Sequence, residues 1–295
     1  MKNYIILILA FTLSATLCAQ TIPYTNGRIV ISSDGNEHDH DDWAATPFSL
    51  ALLAASGLQD SLTVYAFSDH IWGSNHDHKN AEKEMQISAL EGQKVFHFNT
   101  TNFIEAVADS TKAIQAITKE INKSTPDNPL TIIAAGPMQV VGSAISQADV
   151  SKLKFVRIIS HHSWNDNHSD KPNDWEQHSG WTWKEIKSSF EDDGLICDRI
   201  INQNGGDDYD GMKASIDKFD WINTLAIRQE SKSVTKQLDW LYKRQETCIK
   251  KGDFDPSDAG MIIYLLTGIQ KTNPEDAKAI MENPEALKNL SKNEK

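Results

Sequence analysis

Two hydrophobic rhythms alternate along the chain. Short, mostly apolar runs rich in β-branched or aromatic residues recur at 28–32, 62–67, 95–98, 130–135 and 153–159, which predicts strands. Longer segments between them read as helices. Residues 43–55 are apolar throughout, 79–90 interleave polar and apolar positions, and 103–122 place Ile104, Val107, Ile114, Ile117 and Ile121 on one stripe. Pro126-Asp127-Asn128-Pro129 breaks the chain before the fourth strand, and Gly136-Pro137 opens a helix to about residue 145. Strands that are apolar on both faces and separated by helices imply a parallel sheet covered on both sides. The expected fold class is therefore α/β, a mostly parallel central sheet flanked by helices in a Rossmann-like open arrangement. Ligands in such sheets bind beyond the carboxyl ends of the strands, so the loops after Ser33, Phe67, Ala135 and Ile159 are expected to share one edge.

Residues 1–20 have a short cationic start, an apolar run and small residues ending in Ala19-Gln20, the layout of a signal peptide. The remainder, 21–295, is expected to form one α/β domain that is secreted or periplasmic, with lipid anchoring at Cys18 as the alternative. No segment approaches the roughly 20 apolar residues of a membrane span. A net charge of -12 argues against nucleic acid as a partner, because phosphate backbones are met by basic surfaces. Cys197 and Cys248 would either pair in an oxidising compartment or stay as buried thiols.

The chemistry concentrates in loops. Ser33-Asp34-Gly35-Asn36-Glu37-His38-Asp39-His40-Asp41-Asp42 packs Asp34, Glu37, Asp39, Asp41 and Asp42 directly behind the first strand. Like charges at that density raise one another's pKa unless a cation absorbs the field or they point apart into water. Hard oxygen donors favour Ca²⁺ or Mg²⁺, and Ca²⁺ suits a flexible carboxylate loop outside the cytoplasm. The structural alternative is a solvated acidic loop in which Asp41 or Asp42 caps the following helix.

Three segments, in this order, carry a family resemblance. They are the strand, acidic loop ending in Asp41-Asp42 and Ala-rich helix of 28–55; Thr131-Ile132-Ile133-Ala134-Ala135-Gly136-Pro137-Met138-Gln139; and Pro256-Ser257-Asp258-Ala259-Gly260-Met261-Ile262-Ile263-Tyr264. Together they resemble the nucleoside hydrolases, inosine- and uridine-preferring enzymes, and their secreted relatives. The resemblance implies that Asp34, Asp42, the backbone carbonyl of Gln139 and Asp258 would hold Ca²⁺, and that Asp41 would deprotonate the attacking water. It further implies a metal-activated attack on the anomeric carbon of an N-glycosidic or related glycosidic bond. Asn80-Ala81 is similar to a pair on the family's second helix and makes Asn80 a substrate-binding candidate. The chain departs from the family where Asp-Pro-Gly-x-Asp-Asp is replaced by a longer loop without proline, so Glu37 or Asp39 is an alternative ligand. A clean equivalent of the family's ribose-binding Glu-Phe-Asn is also missing.

Four of the eight tryptophans, Trp164, Trp175, Trp181 and Trp183, fall within residues 164–183. Aromatic faces beside Asn165 and Asp166 suit a sugar ring or a nucleobase, so Trp164, Asn165, Asp166, Trp181 and Trp183 are substrate-binding candidates; a surface loop pinned by tryptophans is the alternative. His161, His162 or His178 would protonate the leaving group. All ten histidines lie between His38 and His178, and His38-Asp39-His40-Asp41-Asp42 resembles a metallo-β-lactamase string in which Trp43 replaces the last histidine. Zn²⁺ in a binuclear hydrolase is accordingly an alternative cofactor. A further alternative is a non-catalytic secreted carbohydrate-binding protein. The expected partner is a small nucleoside or sugar, and a homo-oligomer is compatible with the sequence.

Overall fold

A computed structural model of the protein describes residues 22–35, 39–71, 83–163, 165 and 180–292. Its central sheet has six parallel strands, β1 (Arg28–Ser33), β2 (Leu62–Phe67), β3 (Asn102–Glu105), β4 (Leu130–Ala135), β5 (Val156–Ser160) and β6 (Ile196–Arg199), in the order β3-β2-β1-β4-β5-β6. The sheet is covered on both faces, as the continuous apolar runs require. Alternate side chains on each strand serve different cores: Ile29, Ile31, Ile133 and Ala135 enter one, and Val30, Ile132 and Ala134 the other.

Helix α1 (His40–Ala55) belongs to the first core, as do α2 (Lys83–Gln86) and α3 (Gly92–Val95), which are joined through a π-helical turn at Ile87–Glu91. The opposite face carries α4 (Ser110–Asn122), α5 (Gln139–Ser146) and α6 (Trp183–Phe190). Beyond β6 the chain returns to the first face through α7 (Trp221–Ile227), α8 (Lys232–Cys248), α9 (Ala259–Thr267), α10 (Pro274–Met281) and α11 (Pro284–Ser291). The chain leaves β1 toward one face and β4 toward the other, so a crevice opens between these adjacent strands at their carboxyl ends.

Three expectations shift along the chain. Residues 95–98 do not form a strand: Phe96 and Phe98 are fully buried from the turn ending α3, where His97 has φ 62°. Burial alone accounts for that apolar run. The third strand is Asn102–Glu105, which includes Ile104, and α4 starts later because the Asp109 side chain accepts from Lys112 N at 3.0 Å. Likewise Val150–Phe155 is a 3₁₀ turn capped by Asp149, and β5 begins only at Val156. Cys197 and Cys248 are both free thiols, Cys248 being buried. Among the described residues no helix is long and apolar enough to cross a membrane.

One local device fixes the start of α1. Pro47 lies inside this helix and has no N–H to offer the carbonyl of Trp43 four residues back. Ser88 Oγ, from the π turn, donates to that carbonyl at 2.6 Å instead. Arg244 Nε then donates to Ser88 Oγ at 2.9 Å, while its other nitrogens reach Glu84 Oε2 and the Glu84 carbonyl, each at 2.7 Å. Ser88→Ala orphans both the carbonyl and one guanidinium N–H. It is expected to lower the unfolding free energy by about 1–3 kcal/mol in urea titration, and an unchanged midpoint would show that water replaces the serine.

Candidate metal and catalytic site

The crevice gathers residues from four strand ends. Asp34 follows β1, Asp69 follows β2, Gly136 follows β4 and His161 follows β5. Asp69 N donates to the Ser33 carbonyl at 3.0 Å and Ser32 Oγ donates to Asp69 Oδ2 at 2.6 Å, tying the second loop onto the first strand. Gly136 has to be a glycine. A Cβ there would stand 2.4 Å from Asp69 Oδ1 and 2.6 Å from the Asp34 nitrogen, closer than any side chain allows. Gly35, at φ 133°, similarly leaves space for Met85, which seals the loop from below.

Carboxylate oxygens of Asp34, Asp39 and Asp42 lie within 4.8 Å of one another. Asp34 is only 9% exposed and Asp42 only 4%, so these two carboxylates are not solvated surface groups. Nor do these aspartates serve as caps: the residue before α1 is Asp39, and its side chain makes no capping hydrogen bond. Beneath the cluster, Tyr65 Oη donates to Thr46 Oγ1 at 2.9 Å, linking β2 to α1 one turn after Asp42.

Burial pushes the Asp42 carboxyl well above the usual range, and repulsion from Asp34, Asp258, Asp41 and Asp39 adds to it. Burial likewise raises Asp34, reinforced by Asp39 and Asp69. Asp41, on the same first turn of α1, is pushed up to about 7 by burial and then by Asp39, Asp255 and Asp258. Asp42 Oδ1 is buried and has no hydrogen-bond partner among the described residues. An all-oxygen set of crowded carboxylates, two of them buried, with an unsatisfied acceptor fits a hard divalent cation.

Asp258 approaches from the far side of the crevice. It immediately precedes α9 yet makes no side-chain cap. His161 Nε2 donates to its Oδ1 at 2.5 Å, and Gln203 N donates to His161 Nδ1 at 3.1 Å. Because Nδ1 receives an N–H, the ring proton must lie on Nε2, facing Asp258. Gln203 is fully buried and held by Thr272 Oγ1 and by the carbonyls of Ile201 and Gln270. With both ring nitrogens engaged, His161 positions Asp258.

Other candidates are placed as follows. Gln139 is the first residue of α5, so its carbonyl runs along the helix axis. Its side chain accepts from Trp181 N at 2.8 Å and donates to Ser143 Oγ at 3.0 Å, bracing the segment at Trp181. Trp181 packs over Gly142 and against Phe190, and Trp183 lies under the Arg199 guanidinium at 4.4 Å. Asn165 is buried, and His162 is half-buried at φ 60°, its pKa lowered by burial and by His161. The His40 ring lies tilted against Trp43, with centroids 4.4 Å apart. Asn80, Trp164, Asp166 and His178, together with Glu37 and His38, lie outside the described residues. Sequence reasoning missed Asp69 and Gln203. The position of Asp69, two residues after a strand predicted to end at the shared edge, was the available signal.

The chain is 30% identical over 270 residues to uncharacterized protein P22 of Formosa agariphila, covering 87% of this chain and 91% of that protein. It belongs to the P22 family. No family model matches the sequence. Among solved structures, an inosine-uridine preferring nucleoside hydrolase from Bacillus anthracis aligns over 82% of each chain at 12% identity, with a TM-score of 0.43.

The raised carboxyls give the cation-free protein a specific pH response. A carboxyl whose folded pKa is raised contributes stability that is complete below the unfolded value near 4 and is lost as pH rises through the folded value, which for Asp41 is about 7. In chelator, the melting temperature is expected to fall between about pH 4 and pH 7, more steeply in the wild type than in Asp42→Asn. Parallel pH curves for the two proteins would place Asp42 in water.

Proposed function

We propose that the chain is a metal-dependent hydrolase that cleaves a glycosidic bond, N-glycosidic as in nucleosides or a related sugar linkage. The observation that carries this reading is the convergence of Asp34, Asp39 and Asp42 within 4.8 Å at the crevice between β1 and β4, two of them shut off from water. These three would hold Ca²⁺, and Asp258, oriented by His161, faces them across the crevice. When bound, the ion supplies Lewis-acid charge that lowers the pKa of water and grips sugar hydroxyls.

The chain's own residues do the rest. Asp41 sits one residue before a ligand and lines a cavity of about 310 Å³, so its carboxylate meets water and substrate together. It would take the proton of the attacking water as the bond to the anomeric carbon forms and the leaving group departs. The buried carboxylates then face the oxocarbenium character that develops on the sugar. Of the three histidines considered for the leaving group, His162 keeps that role among the described residues. An extracytoplasmic location, the expectation drawn from the leader-like layout of residues 1–20, would supply the calcium this reading needs.

Two measurements test the reading. Titration calorimetry on chelator-stripped protein should show Ca²⁺ binding that Asp42→Ala weakens at least about tenfold. Zn²⁺ bound in preference to Ca²⁺ would reject the oxygen-donor site. In a screen of nucleosides and nitrophenyl glycosides, Asp41→Asn should keep Ca²⁺ affinity while losing about 10²–10⁴ in kcat. Hydrolysis that survives Asp41→Asn would remove this residue from catalysis.

A further inference from the structure

Asp258 is held at the crevice with the help of a residue that makes no hydrogen bond to it. Gln203 lies just beyond β6, is fully buried, and gives its backbone N–H to His161 Nδ1 at 3.1 Å. His161 Nε2 donates in turn to Asp258 Oδ1 at 2.5 Å, and no other hydrogen bond reaches that carboxylate among the described residues.

Gln203 is itself tied down by both its backbone and its side chain. Its Nε2 donates to the carbonyls of Ile201 and Gln270, each at 2.8 Å, its Oε1 accepts from Thr272 Oγ1 at 2.5 Å, and its own carbonyl accepts from Met212 N at 2.8 Å. The side chain is also wedged against the first turn of α9, the helix that Asp258 precedes: a Cβ on Gly260 would stand 2.5 Å from Gln203 Oε1 and 2.7 Å from Thr272 Oγ1. One buried residue therefore sets both members of the pair, the ring through its backbone N–H and the helix carrying Asp258 through its amide.

A neutral imidazole has one proton, and the Gln203 N–H occupies the lone pair of Nδ1, so the proton stays on Nε2. The ring can then only donate to Asp258 and offers no lone pair to a metal. Asp258, with Oδ1 occupied, keeps Oδ2 for a cation. Hydrogen bonding to one oxygen of a ligating carboxylate fixes its orientation, and such outer partners are commonly worth about 10- to 100-fold in metal affinity.

We propose that Gln203 is a positioning residue for the cation, acting through His161 to present Asp258 by a single oxygen and to keep the imidazole out of the ligand set. The role rests on the metal-dependent reading for the cation, and on the hydrogen-bond chain for the part played by Gln203.

Titration calorimetry with Ca²⁺ on the chelator-stripped full chain, joined to nitrogen NMR of the histidine rings in the cation-free protein, tests it. His161→Ala should weaken Ca²⁺ about 10- to 100-fold, and His161→Gln, whose amide can still donate to Asp258, should recover most of that loss. Gln203→Ala should weaken Ca²⁺ at least about threefold and should change nothing further when combined with His161→Ala, because its effect passes through the ring. Thr272→Val, which removes only the hydroxyl donor, should weaken Ca²⁺ in the same direction and keeps the test open if Gln203→Ala does not fold. The His161 ring signals, assigned by their loss in His161→Gln, should report the Nε2-protonated form in the wild type and a mixture of tautomers in Gln203→Ala. A ring protonated on Nδ1 in the wild type, a Ca²⁺ affinity unchanged in the Gln203 and Thr272 variants, or a Gln203→Ala loss that adds in full to that of His161→Ala would overturn the proposal. A wild type that binds no divalent cation would overturn the metal-dependent reading and this role with it, whereas normal wild-type affinity with insensitive variants would overturn the role alone.

Discussion

Repulsion among buried carboxylates at the ends of β1 and α1 is the constraint on which the rest of the molecule turns. Asp34 and Asp42 are nearly inaccessible, and Asp69, fully buried, adds a further acidic group to the same strand edge. Taking one carboxylate out of water is expensive, and taking several out together is prohibitive unless protons or a cation balance them. Glycines at 35 and 136 and the Met85 side chain bring about that dehydration by letting neighbouring chain come into contact with the loop. The surroundings are thus built to exclude water from a place where charge is concentrated, which is what a site for a partly dehydrated cation requires.

Holding such a cluster in place takes rigid supports, and they come from distant parts of the chain. The acidic first turn of α1 is braced through Ser88 and Arg244, which together substitute for the hydrogen bond that Pro47 cannot make. On the opposite side of the crevice Asp258 is braced through His161 and the buried amide of Gln203. Both supports are chains of hydrogen bonds in which each buried polar atom meets a partner, and such chains rigidify the groups they end on. The acidic residues are therefore the visible end of a larger arrangement that spans β5, α8 and α9.

The cavity beside Asp41 is lined by both signs of charge, Lys213, Lys250 and Lys251 together with Asp41, Asp253 and Asp255. Of the tryptophans singled out in the sequence, Trp181 packs over Gly142 of α5 and against Phe190 of α6 with its backbone N–H held by Gln139, and Trp183 lies under Arg199. What they contribute to the site is the fixed position of the segment that carries them.

Much of this was legible in the sequence, because it depends on local periodicity and on the chemistry of neighbouring residues. Apolar runs separated by amphipathic stretches required a parallel sheet with two covered faces, and the density of acids behind the first strand marked the site before any geometry was known. Strand boundaries were less legible. Burial of Phe96 and Phe98 is satisfied by a helix end as well as by a strand, and only pairing with β2 decides that Asn102–Glu105 is the edge. The partnership of Asp258 with His161 spans 97 positions, and that of Arg244 with Ser88 spans 156, so neither leaves a pattern along the chain. Tertiary structure alone decided which carboxylates are buried and that His161 is committed to Asp258. Each of these is a consequence of where the returning chain lies over the sheet.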